Sequence, residues 1–161
     1  GAGGVGGGVV RGRAGGGKRV AWLGHARYVY DSLTARQNLA VVADHLGRSR
    51  SGIDALLDRV ALGSRADDTV ATFSAGMRKR LSFARVLMQE PRVALLDEPY
   101  GQLDPEGFVL VEAVVRELKA AGTTVIIATH QLARAAAVAD DAMLIEAGRV
   151  VWRGKAAEVP S

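Results

Sequence analysis

Cysteine is absent from the 161 residues, which excludes a disulfide framework and any thiolate metal site and fits a reducing compartment. Long apolar runs are absent as well: none approaches the roughly 20 residues that a membrane-spanning helix needs. The first residues are mostly glycine and carry no apolar segment of the kind that marks a signal peptide. Any work at a membrane is therefore expected to pass through a partner. Aromatic residues make up only 5%, and none alternates with basic residues as a stacking platform for single-stranded nucleic acid requires. The net charge is +4, but the basic residues are spread along the chain. Their longest cluster, Arg78-Lys79-Arg80, reads as a solvated basic face, and no nucleic-acid partner is expected. What is present is an ordinary globular composition, 48% hydrophobic and 24% charged, in a length that suits one core.

Residues 1–19 are Gly-rich, hold almost no helix or strand pattern and are expected to be poorly ordered. A short strand is predicted over 19–23 (RVAWL). Thr34 opens a helix with Leu39, Val42 and Leu46 on one face. Ser51 is placed to cap a second helix, IDALLDRVAL, ending near Gly63. After a polar loop over 64–72, a third helix is predicted over 76–89, stopped before Pro91. The run Val93-Ala94-Leu95-Leu96 predicts a strand covered on both faces. Pro105 favours the first turn of a helix that runs to Ala121 and ends at Gly122. A second buried strand (VIIA, 125–128) and a helix over 132–138 follow. Strands over 142–145 and 150–152 then flank the turn Glu146-Ala147-Gly148-Arg149. The alternation predicts an α/β fold with a parallel sheet, a helical lobe over 34–90 beside a sheet lobe over 91–152.

Three segments carry chemistry. Val93 to Leu96 run into Asp97-Glu98-Pro99, which places two carboxylates at the C-terminal edge of a parallel strand, where α/β sheets bind ligands. Asp97 suits a Mg²⁺ site, and Glu98 can then orient or deprotonate an attacking water. The same residues also read as a strand followed by an acidic helix cap. Phe73-Ser74-Ala75-Gly76-Met77 precedes a helix, so backbone N–H groups, the helix dipole and the Ser74 hydroxyl converge on one anion site. Taken in isolation, the segment also reads as a plain Ser cap with a glycine. Ala128-Thr129-His130 ends the VIIA strand with an imidazole, either facing a phosphate or serving as a structural histidine.

In this order, the parts resemble the nucleotide-binding domain of ABC transporters. Phe73-Ser74-Ala75-Gly76-Met77 is similar to the family's signature motif, usually LSGGQ, with Phe for Leu, Ala for Gly and Met for Gln. Val93 to Glu98 resembles its Walker B segment with the catalytic Glu. Gly101-Gln102-Leu103-Asp104 resembles the D-loop, and His130 the switch histidine. Leu23-Gly24-His25 and the stretch YDSLTARQNL after it resemble the Q-loop and the start of the helical lobe, with His25 where most members carry Gln. That stretch and DEPYGQLDPEG look most like the haem-exporter ATPase of cytochrome c maturation.

The resemblance implies a P-loop NTPase-like ABC ATPase domain over 20–161, with a helical signature lobe and a parallel-sheet lobe. It implies ATP and Mg²⁺ as cofactors and two subunits paired head to tail, as homodimer or heterodimer. Ser74, Ala75, Gly76 and Met77 would face the ATP held by the partner. Asp97 would hold Mg²⁺, Glu98 would act on the lytic water, His130 would brace the γ-phosphate, and Asp104 would link the two sites. A separate membrane permease would dock near 27–34, so the chain would sit peripherally on the cytoplasmic, inner face of the cell membrane. The pattern departs from the family at the phosphate loop. Gly12-Arg13-Ala14-Gly15-Gly16-Gly17-Lys18-Arg19 matches GxxxxGK[ST] except that Arg19 replaces the hydroxyl residue, and a strand rather than a helix follows it. The expectation is a domain whose N-terminal, phosphate-loop part is missing. Two alternatives stay open: a half-site that does not hydrolyse ATP but lends its signature motif to a partner ATPase, and a non-transport ABC ATPase acting on nucleic acid or the ribosome.

Overall fold

The computed structural model describes residues 20–24 and 29–160. The Gly-rich segment 1–19 and His25 therefore lie outside the described residues. Three parallel strands form the central sheet in the order β1-β2-β3: β1 (Val20–Leu23), β2 (Val93–Asp97) and β3 (Thr124–Ala128). β1 precedes the helical region in the chain, so the sheet draws on sequence from before residue 34 as well as after 91. The register sets Ala21, Ala94 and Val125 side by side, then Trp22, Leu95 and Ile126, then Leu23, Leu96 and Ile127.

Between β1 and β2 lie α1 (Ala35–His45), α2 (Ile53–Arg59) and α3 (Ala75–Gln89). Thr34 caps α1 in a reciprocal box with Gln37: Thr34 Oγ1 accepts from the Gln37 N–H at 3.1 Å, and Gln37 Oε1 accepts from the Thr34 N–H at 2.9 Å. The expected Ser51 cap of α2 is not made. A short 3₁₀ turn, Arg50–Gly52, intervenes, its first donors turn to Ser49, and Gly52 takes the cap position without a side-chain bond. α2 also ends before Gly63. Ala61 adopts φ +58°, and the Leu62 N–H reaches the Leu57 carbonyl at 2.8 Å, a left-handed stop without glycine. α3 ends at Glu90, φ +43°, directly before Pro91.

After β2 come α4 (Pro105–Ala120), β3 and the short α5 (Leu132–Ala136), which stops before the expected Val138. Gly122, at φ +84°, ends α4. The last two strands, β4 (Asp141–Glu146) and β5 (Arg149–Lys155), form a separate antiparallel hairpin. Its turn uses Ala147 and Gly148 at φ +47° and +75°, the hand that matches strand twist.

α3 is the hub of the packing and contacts α1, α2, α4 and β1. Its Leu81, Phe83 and Ala84 are fully buried, as are Leu39, Leu57, Val111, Val114 and Val115 around it. Burying each such Leu or Phe is worth about 1.5–3 kcal/mol. α3 and α4 cover one face of the sheet, over Ala21, Leu23, Ala94 and Leu96. The other face corrects the expectation of strands buried on both sides. Val20, Trp22 and Ile126 there are 56%, 43% and 53% exposed. β3 alternates between half-buried and exposed residues throughout. An apolar run reports that a strand is suited to two covers, not that both are supplied.

Candidate active site

The first cluster forms where β2 and β3 end together. Asp97 is the last residue of β2, paired with Ala128 of β3. The chain then turns sharply. Glu98 adopts φ +46°, its N–H donates to the Ala128 carbonyl at 2.7 Å, and its carbonyl accepts from the Gly101 N–H at 3.1 Å. The reversal aims the Glu98 side chain across to the end of β3. There Thr129 Oγ1 donates to Glu98 Oε2 at 3.0 Å, the His130 N–H donates to Oε1 at 3.1 Å, and His130 Nδ1 lies 2.8 Å from Oε1. Burial pushes the Glu98 carboxyl up, but the bonds from His130 and Thr129 outweigh it and hold the group below its ordinary value. The His130 side chain is 80% exposed. The segment behind it is fixed by Tyr100, buried to 1%, whose hydroxyl donates to the Arg134 carbonyl at 3.3 Å.

The second cluster forms where α3 and α4 begin. Ser74 caps α3, its Oγ accepting from the Met77 N–H at 3.1 Å. Asp104 caps α4, its Oδ1 accepting from the Gly107 N–H at 2.8 Å and from Arg80 at 3.3 Å. Between the two caps lies a cleft of about 440 Å³ lined by Ser74, Ala75, Gly76, Met77, Arg80 and residues 102–104. Gly76 has a steric reason to be glycine: a Cβ would stand 3.0 Å from the Gln102 carbonyl oxygen.

The structure thus joins Asp97, Glu98 and His130 in one place and Ser74 to Met77 with Asp104 in another. The two clusters share no side chain. Thr129 was not assigned a role from sequence, although its place between strand end and histidine offered the signal. The basic cluster is a correction. Arg78 pairs with Asp31 and donates to the Phe73 carbonyl. Lys79 donates to the Glu98 carbonyl, and Arg80 binds the Val60 carbonyl and Asp104. These three cations are half-buried internal ligands, not a solvated face.

Asp97 and Glu98 do not build a metal cage: among the described residues no group of three or more His, Cys, Asp or Glu could hold an ion. One half-exposed carboxylate at a strand end does fit Mg²⁺ that arrives with a nucleotide, since that ion fills its shell with water and phosphate oxygens. Nor is any helix among the described residues long and apolar enough to cross a membrane.

The family model described as ABC transporter matches residues 11–101, and so takes in the Gly12–Arg19 segment as well as the signature and β2. The chain is 41% identical over 145 residues to the daunorubicin resistance ATP-binding protein DrrA3 of Streptomyces coeruleorubidus, covering 88% of this chain and 46% of that one. It is 38% identical over 125 residues to the Nod factor export ATP-binding protein I of Burkholderia orbicola, covering 75% and 41%. A solved ATP-binding subunit of an ABC transporter superposes with a TM-score of 0.77 at 27% identity, covering 86% of this chain and 59% of that one. The chain spans about half the length of the curated relatives it matches. The fold, the strand-end acids and these matches agree, and the chain belongs to the ABC transporter family as part of its ATP-binding domain.

Proposed function

We propose that this chain works as the ATP-hydrolysing subunit of an ABC exporter, on the cytoplasmic face of the cell membrane, with a membrane permease and a second ABC ATPase subunit. The observation that carries the reading is the convergence of Asp97, Glu98 and His130 at neighbouring strand ends. Bound there, Mg²⁺-ATP would supply the phosphoryl group and the charge-neutralising ion, with Asp97 as the protein ligand. Glu98, its carboxylate held by Thr129 and His130, is placed to orient or deprotonate the attacking water. His130 braces the γ-phosphate side of the site. Ser74, Ala75, Gly76 and Met77 present the α3 N-terminus to the nucleotide of the partner subunit, and Asp104 ties that surface to α4. His25 takes the Q-loop position, and the stretch after it, where Tyr30 is 57% exposed, is the permease-docking surface.

The export direction draws on the Nod factor relative's name. The resemblance of the YDSLTARQNL and DEPYGQLDPEG stretches supports haem as cargo, in cytochrome c biogenesis. A second reading has its own support: Arg19 stands where a phosphate loop needs a hydroxyl, which favours a half-site that only donates its signature motif. Action on nucleic acid has little support, because the basic cluster is spent on internal bonds.

The test is stimulated ATP hydrolysis when the chain is mixed with an intact ABC ATPase subunit and permease. Both Glu98→Gln and Ser74→Arg should abolish the stimulation. Loss with Ser74→Arg alone identifies the half-site reading. No loss with either variant sinks both.

A further inference from the structure

The signature helix and the Glu98 turn are joined by one side chain. Lys79 lies in α3, five residues after the Ser74 cap, and its Nζ donates to the Glu98 carbonyl at 3.0 Å. Glu98 is the residue that most needs such a hold. Its φ of +46° is a conformation that strains a non-glycine residue and persists only when neighbours impose it. The Gly101 N–H and Lys79 Nζ converge on that carbonyl, while the Ala128 carbonyl takes the Glu98 N–H. The turn is thereby held from the strand, from its own loop and from the helix. Burial pushes the Lys79 ammonium below its ordinary value, and the nearby Asp97 and Glu98 carboxylates pull it back up. A half-buried cation with a backbone carbonyl as its bonded partner serves geometry first.

We infer that Lys79 is a positioning residue, which transmits the placement of the α3 N-terminus to Glu98 by gripping its backbone carbonyl. The inference rests on the proposed role of Glu98 in hydrolysis for its functional meaning, but the grip itself does not. A shift of the Ser74–Met77 end, on meeting a nucleotide, would carry Lys79 with it and re-aim the carboxylate without any contact between the two clusters. The same bond makes the coupling reciprocal: disturbing the Glu98 turn disturbs the helix start.

The experiment has two arms. The first is amide hydrogen exchange on the chain with Lys79→Met, which keeps the length and removes the donor, and Lys79→Arg, which restores it. Lys79→Met should speed exchange of the Glu98 and Gly101 amides at least tenfold and leave those of Phe83, Ala84 and Leu87 within twofold. Lys79→Arg should recover most of the protection. Unchanged exchange at Glu98 and Gly101, or equal acceleration throughout α3, overturns the inference. The second arm is the stimulated hydrolysis described above. Lys79→Met should lower kcat about tenfold with KM for ATP unchanged, and Lys79→Arg should rescue it. Failure of Glu98→Gln to affect hydrolysis, with the exchange pattern intact, would retire the hydrolytic reading of Glu98 and leave the grip standing. Hydrolysis lost with Glu98→Gln but indifferent to Lys79→Met would retire the coupling.

Discussion

Replacing Asp104 by alanine and by asparagine separates two jobs that one side chain performs. Its Oδ1 caps α4 through the Gly107 N–H at 2.8 Å and also meets Arg80 at 3.3 Å. Losing the cap costs about 1 kcal/mol. The ion pair is worth less, about 0.2–0.5 kcal/mol, because the Asp104 side chain is 63% exposed and solvent screens it. The negative charge at the helix N-terminus adds about 0.3–0.5 kcal/mol. Asp104→Ala should therefore lose about 1.5–2 kcal/mol. Asparagine still accepts from the Gly107 N–H, so Asp104→Asn should lose only about 0.5–1 kcal/mol. At this chain length each kcal/mol moves Tm by about 2–4 °C, which gives shifts of about 3–8 °C and about 1–4 °C. Urea unfolding with unchanged slope gives the free energies, and 1 M NaCl, where screening acts over about 3 Å, should shrink the asparagine effect and spare most of the alanine effect. Equal losses from the two substitutions at low salt would refute the reasoning, since they would put the work in the charge rather than in the cap.

Two further outcomes follow from the same geometry. Because the folded Glu98 carboxyl is held below its ordinary value, its stabilisation should be complete above the unfolded value of about 4.3 and drain away as pH falls through the folded value. Urea midpoints between pH 6 and 3 should show the parent chain losing more stability toward acid than Glu98→Gln, and parallel profiles would contradict the bonding to His130 and Thr129. At Gly107, an added Cβ would stand 2.8 Å from Leu103 Cβ and 3.1 Å from Asp104 Oδ1. Gly107→Ala should thus destabilise by about 1–3 kcal/mol despite the better helix propensity of alanine. A gain in Tm would show that the loop yields freely.

How much was legible beforehand depended on whether a residue's meaning is local. Thr34 with Gln37, Pro105, and Gly122 act within a turn of their own position, and the elements they bound came out within a residue or two. The family match over residues 11–101 agrees with the family resemblance read from the sequence. Ser51 misled because it lies inside a 3₁₀ turn, where its own N–H donates to Ser49 Oγ and Gly52 takes the cap position of α2. VIIA reads as buried because its residues are apolar, whereas Ile126 is 53% exposed: burial depends on what lies across the sheet, which the strand does not encode. Arg78, Lys79 and Arg80 looked like one solvated patch. On a helix, consecutive residues point in different directions, and each reaches a separate partner that lies up to 47 residues away in sequence. The Glu98–Thr129–His130 contacts are likewise long in sequence and short in space, and only the β2–β3 register brings them together.

The left-handed backbone of Glu98 has a consequence for anyone evolving this protein in the laboratory. Glycine at 98 would release the torsional cost but also discard the carboxylate with its bonds to Thr129 and His130, so the two effects on stability oppose each other, and on the proposed reading the hydrolytic carboxylate is lost. Selection for heat resistance alone registers only the balance of those two effects and is blind to the hydrolytic role proposed for Glu98. Libraries sorted by thermal survival need a turnover screen in the same round, or residue 98 held fixed.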